Sequence, residues 1–148
     1  RHPGAPVASL TEILASGRFH PGIDQVLRVS ESMNEESEPL YRSALAQRQV
    51  IRESVLGVMA AQQLDAIAYP TIRRKAAHLR EPQDGSNCQL SAKSGLPAIS
   101  VPAGFTADGL PVGLELLGRA WSESALLAMA FAFEQIARHR QPPALLTP

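Results

Sequence analysis

From Ser94 to Arg119 the chain reads SGLPAISVPAGFTADGLPVGLELLGR, two apolar runs on either side of an Asp-Gly step, with prolines at 97, 102 and 111. Ala98 to Val101 is short, apolar and rich in β-branched residues, the pattern of a strand covered on both faces. Asp108 tolerates the left-handed region and Gly109 reaches positive φ without a Cβ clash, so the chain can reverse there. A second strand follows from Val112 to Leu117, with Val112, Leu114 and Leu116 on one face and Gly113, Glu115 and Leu117 on the other. Pro102 and Pro111 carry no amide hydrogen, which places each at a strand end or a bulge. The stretch predicts a hairpin-like strand pair.

What precedes it reads as helical. Ser9 followed by Glu12 forms a capping box that opens a short helix through Leu10, Ile13 and Leu14, ended by Gly17. After His20-Pro21-Gly22, the residues Ile23, Val26 and Leu27 mark another helical face, and Asn34 to Glu38 forms the next boundary. Glu35, Glu36 and Glu38 suit the positive end of a helix rather than a metal. Ser37 can cap a long helix with Pro39 in its first turn and Leu40, Ala44, Ile51, Val55, Val58 and Met59 as its apolar stripe, running as far as Leu64. That helix delivers the chain into Ala66 to Tyr69, an all-apolar strand of the kind found inside a parallel or mixed sheet. Residues 72–89 are polar and predict a loop. Ser122 and Glu123 open a last helix whose Leu126, Leu127, Ala130, Phe131, Phe133 and Ala137 form a wide apolar face against the sheet. Arg138, His139 and Arg140 suit its C-terminal end, and Pro142-Pro143 prevents continuation.

The expected fold class is α/β, a partial mixed β-sheet with flanking helices and an incomplete edge. Residues 1–148 form one segment, helical over 1–64, with strand, loop, hairpin and final helix over 65–148. A chain of 148 residues is long enough for one core. Its 14 basic and 14 acidic residues cancel, so it carries no electrostatic footprint for nucleic acid or an anionic membrane, and a small molecule or a protein is the expected partner. The single Cys88 makes no internal disulfide, and no paired Cys/His spacing marks a zinc site, which points to a reducing, cytoplasmic setting and to no metal or cofactor. No apolar run is long enough to read as a membrane span, and no leader sequence is visible.

The run from Gly95 to Phe105, then Asp108 to Leu114, with Leu117-Gly118-Arg119, Glu123 and Leu126-Leu127 behind it, resembles the C-terminal signature of the amidase signature family. Asp65 to Thr71 resembles that family's strand ending in a Pro-Thr step, and Phe133-Glu134-Gln135 its last helix; together the match covers most of residues 65–143. The resemblance implies hydrolysis of amides, or transfer of the ammonia released, by a serine nucleophile, a second serine and a lysine from a Gly/Ser-rich segment upstream. No Gly-Gly-Ser-Ser run occurs in this chain. It is therefore expected to be the C-terminal piece of a longer amidase, lacking the N-terminal catalytic part, inactive alone, and prone to self-association where its sheet is incomplete. Two further readings stand beside this one: the ammonia-generating subunit of a tRNA-dependent amidotransferase, and a non-catalytic assembly or binding domain with the same architecture.

Within the chain, Ser91-Ala92-Lys93-Ser94 sets hydroxyls beside an amine, but residues so close in sequence seldom face each other productively, and a polar segment entering the sheet is the preferred reading. No catalytic residue is assigned. The resemblance implies that this region lines the substrate cleft, and Asn87, Cys88 and Ser91 are the expected substrate-binding positions. Counting back from Gly95, the family commonly has Thr seven residues earlier, where this chain has Cys88, and Asn three residues earlier, where it has Ala92. His2, His20, His78 and His139 stand singly and read as surface or capping residues. The basic stretch from Arg73 to Arg80 lacks aromatic interleaving and reads as a solvated loop.

Overall fold

The computed structural model describes residues 4–33, 37–79 and 81–142. His2, Asn34 to Glu36, Arg80 and Pro143, all used above, lie outside the described residues. Two compact units, Arg1–Ala46 and Gln47–Pro148, divide inside the long helix.

In the first unit, α1 spans Leu10–Ser16. Ser9 Oγ accepts from the Glu12 amide at 3.1 Å, and Glu12 Oε2 accepts from the Ala8 amide at 2.6 Å, one residue before the position a strict capping box would use. Gly17 ends the helix at φ 61°. The His20 ring nitrogen Nδ1 accepts from the Gly22 amide at 3.0 Å and opens a 3₁₀ turn, Pro21–Ile23, that leads into α2, Asp24–Ser32. The Thr11 hydroxyl donates to the Glu31 carboxylate and ties α1 to α2. None of the unit's described residues is buried. Its helices rest on caps and local bonds, a weak basis for short helices in water.

Helix α3 runs Glu38–Ala61 with Pro39 as its second residue. Of the expected stripe only Met59 is buried, while Leu40 and Val58 are exposed. The helix ends earlier than the expected Leu64. Gln63 takes a left-handed conformation, and the Leu64 amide bonds back to the Met59 carbonyl at 2.8 Å, which closes the last turn and frees Leu64 to start the approach to the sheet.

The second unit is built on three strands, β1 (Ala66–Pro70), β2 (Ala98–Phe105) and β3 (Pro111–Gly118), in the order β1-β3-β2. Both pairings are antiparallel, so no parallel neighbour of the mixed sheet lies among the described strands. The short β2–β3 connection can only join antiparallel strands, and β1 adds against the free side of β3. Thr106 and Leu110 close the turn at 2.8 Å around Gly109 at φ 83°. Pro111 begins β3, and a register shift between Pro102 and Gly104 absorbs the missing amide of Pro102, as the proline positions require.

Helix α5, Glu123–Ala137, covers one face of this sheet. Val101, Leu116, Leu126 and Ala130 form the buried cluster, with Ala66, Ile99, Leu114, Met129 and Phe133 packed against it. The expected wide face is narrower: Leu127 and Phe131 are exposed, because a helix laid on one small sheet can bury only a single stripe. Gly118 lets this packing happen, since a Cβ there would lie 3.0 Å from Leu126 Cδ1. Between β1 and β2, residues 89–94 form a helix, α4 (Gln89–Ser94), where a loop end and a polar segment entering the sheet were expected. Gly95, at φ 64°, ends it.

Candidate functional site

Strand alternation puts Tyr69, Glu115 and Ser100 in one row on the face away from α5, since Tyr69 and Ser100 both pair with Glu115. Glu115 is buried at 6% exposure, and Tyr69 Oη donates to its Oε1 at 2.7 Å. Burial first, then the hydrogen bond to the Glu115 carboxylate and its charge, and last the nearby Cys88, hold the Tyr69 phenol well above its ordinary range. One step along, Thr71 follows β1 with its amide donating to the Gly113 carbonyl at 2.9 Å. The hydroxyls of Thr71 and Ser100 meet at 2.7 Å over Gly113. A Cβ on Gly113 would stand 2.7 Å from Thr71 Oγ1, so the glycine leaves the space in which they meet.

The sequence-derived positions lie beside this row, each in a different state. Asn87 is anchored to the end of β1: its Nδ2 donates to the Pro70 carbonyl at 2.6 Å and its amide to the Thr71 carbonyl at 3.0 Å. Cys88 is an exposed free thiol whose sulfur accepts from the Ser86 hydroxyl at 3.1 Å. Ser91 is half-buried and its hydroxyl donates to the Leu96 carbonyl at 3.0 Å. Ser91 therefore gives its proton to the backbone, and Lys93, two residues along a helix, projects to another side. The Lys93 carbonyl instead accepts from Arg48 Nε at 3.1 Å.

Arg48 also donates to the Ala92 carbonyl, and Arg52 Nη1 donates to the Ser94 and Gly95 carbonyls at 3.2 Å each. Two guanidinium groups from α3 thus satisfy the C-terminal carbonyls of α4, where a helix carries its negative end. Tyr69, Thr71, Ser100 and Glu115 were not singled out from the sequence. The available signal was a glutamate within an otherwise apolar strand, because a buried carboxylate requires a donor.

Thr71, Ser100 and Gly113 lie at one end of a groove of about 1310 Å³ that continues over the hairpin to Phe105, Gly109 and the segment after α5. His139 reaches over Gly104, within 4.0 Å of where a Cβ would be. The basic loop bounds the groove with Arg73, Arg74 and Lys75. Among the described residues no group of His, Cys, Asp and Glu could hold a metal ion, and no helix is long and apolar enough to cross a membrane. Of the polar row only Thr71 and Ser100 line the groove, whereas Tyr69, Glu115, Asn87, Cys88 and Ser91 do not; the two hydroxyls are suited to holding polar atoms of a ligand.

The family model described as Amidase matches residues 8–127, and this chain belongs to that family. It is similar to a glutamyl-tRNA(Gln) amidotransferase subunit of Ruegeria pomeroyi, 39% identical over 106 residues that make up 66% of this chain and 21% of that protein. It is also similar to fatty acid amide hydrolase of Arabidopsis thaliana, 47% identical over 51 residues, 34% of this chain and 8% of that one. Among solved structures, peptide amidase from Stenotrophomonas maltophilia matches with a TM-score of 0.81 at 33% identity, over 96% of this chain and 30% of that chain. The α/β architecture is thus that of amidase signature enzymes, and the chain spans between a fifth and a third of the peptide amidase and of the amidotransferase polypeptide.

Proposed function

We propose that this region serves an amide C–N hydrolase that releases ammonia, as sheet scaffold and substrate-pocket wall, while a serine nucleophile, a second serine and a lysine come from sequence outside these 148 residues. The observation that carries this reading is the hydroxyl pair of Thr71 and Ser100 lining the groove, with the buried Glu115 next to Ser100 and Asn87 bonded to the end of β1, and with the hydroxyl of Ser91 engaged by the Leu96 carbonyl and so not activated by any amine. Asn87, Cys88 and Ser91 are the proposed wall of the pocket. Cys88 presents the thiol, Asn87 fixes the loop to the end of β1, and Ser91 ties α4 to Leu96 while its lone pairs stay available as acceptors. The single unpaired thiol supports a reducing, cytoplasmic setting.

A second reading is favoured by the likeness to the amidotransferase polypeptide, in which the same pocket would feed ammonia to partner subunits. Ammonia release from free amides by the longer protein separates the two, since a simple amidase releases it without ATP and without partners. Strict dependence on both supports the amidotransferase reading, and no release under either condition overturns both.

A further inference from the structure

A helix of six residues does not persist in water on its own, so the place of α4 is set by what holds its ends. Its N-cap, Cys88, makes no side-chain cap bond. The residue before it does the holding there: the Asn87 amide donates to the Thr71 carbonyl at 3.0 Å, Asn87 Nδ2 donates to the Pro70 carbonyl at 2.6 Å, and the Leu90 amide donates back to the Asn87 carbonyl at 3.1 Å. At the other end Arg48 donates through Nε to the Lys93 carbonyl at 3.1 Å and through Nη2 to the Ala92 carbonyl at 3.2 Å. Arg52 Nη1, one turn further along α3, reaches the Ser94 and Gly95 carbonyls at 3.2 Å each. The helix that carries both guanidinium groups is itself anchored, since Met59 is fully buried and Arg119 Nη2 donates to the Met59 and Leu64 carbonyls at 3.1 and 3.0 Å.

We infer that Arg48 and Arg52 are positioning residues for the amide hydrolysis proposed above: by clamping the C-terminal end of α4 they set the place of Asn87, Cys88 and Ser91, the proposed pocket wall, along the rest of it. A short rod held at both ends keeps its axis, and released at one end it swings about the other. Satisfying carbonyls is not reason enough for the arrangement. Ala92 and Lys93 are exposed, so water can serve their carbonyls. What water does not supply is a fixed direction, which two planar guanidinium groups on an anchored helix do. The inference deepens the amide-hydrolase reading and rests on it for one point only, that the residues so placed face a substrate.

The test follows amide hydrogen exchange in the full 148-residue chain carrying Arg48→Ala/Arg52→Ala, and ammonia release by the longer protein with the same change. Exchange at the Asn87 and Leu90 amides, at the end of α4 away from the guanidinium groups, is expected to quicken about tenfold while β2 and β3 stay protected as before. Arg48→Lys/Arg52→Lys is expected to recover only part of that protection, because an ammonium lacks the planar fork. Arg42→Ala, on the same helix but paired with Glu38, is expected to leave both amides as they were. In the longer protein the double alanine change is expected to raise KM about tenfold with kcat within about twofold of its unaltered value, as for a wall that holds substrate and transition state alike. Faster exchange confined to Ser94, Gly95 and Leu96 would overturn the proposal, since the clamp would then serve the last turn alone. Equal loss of protection across the sheet would do the same by showing a general loss of stability, as would a kcat that falls at unchanged KM. If the unaltered longer protein releases no ammonia, the amide-hydrolase reading fails, and exchange at Asn87 and Leu90 still decides whether the two arginines position that end of α4.

Discussion

Gly113 and Glu115 show how one strand serves packing and chemistry at the scale of a single residue. Adding a methyl at Gly113 sets a Cβ 2.7 Å from Thr71 Oγ1 and 3.0 Å from Ser100 Oγ, so Gly113→Ala must part the hydroxyl pair. A loss of about 1–3 kcal/mol in urea unfolding is expected, and an unchanged midpoint would show that the pair relaxes freely. Tyr69→Phe removes the donor to a carboxylate with 6% exposure and is expected to cost about 1–3 kcal/mol. The phenol is raised in the folded protein, so its contribution to stability is complete below the unfolded value near about 10 and is lost as pH climbs towards the folded one. Ultraviolet titration should show one late phenolate step that disappears in Tyr69→Phe; a titration identical in the two proteins would contradict the pairing. The sequence grouped Glu115 with Gly113 and Leu117 on one face of β3 but did not show its donor, because Tyr69 lies 46 residues away and meets it only through the β1–β3 register.

Secondary-structure elements were legible to the degree that their causes are local. Turn chemistry at Asp108-Gly109, the missing amides of Pro102 and Pro111 and the Ser9 cap act within a few residues, and the hairpin and α1 form where those residues predict. Helix α4 was not legible: six residues are too few to show a period, and its carbonyls are satisfied by Arg48 and Arg52 from more than forty residues away. Arg52→Ala is expected to raise hydrogen exchange across Gln89–Ser94 and to cost about 1–2 kcal/mol; Arg52→Lys, which lacks the fork, should restore only part. Exchange unchanged in Arg52→Ala would mean that α4 stands without the clamp. The long stripe of α3 and the wide face of α5 exceeded what one small sheet can cover, since apolar spacing marks a surface able to be buried and not the neighbour that buries it.

The whole molecule exposes what its own elements leave uncovered. Phe131 is 65% and Trp121 92% exposed, and β1 and β2 are the outer strands of the sheet among the described residues. Self-association is expected in sedimentation at micromolar concentration, through the strand edges or the open side of α5, and should weaken in Phe131→Ser; a clean monomer would count against it. Such surface is what a scaffold region would show if the catalytic serines and lysine were carried by sequence packed around it. The most direct test of that claim is ammonia release from a panel of free amides, measured on the purified 148-residue chain and on a longer protein that includes the upstream sequence. Release by the longer protein alone is expected. Turnover by the 148-residue chain itself, abolished by Ser91→Ala or Lys93→Ala, would contradict the account.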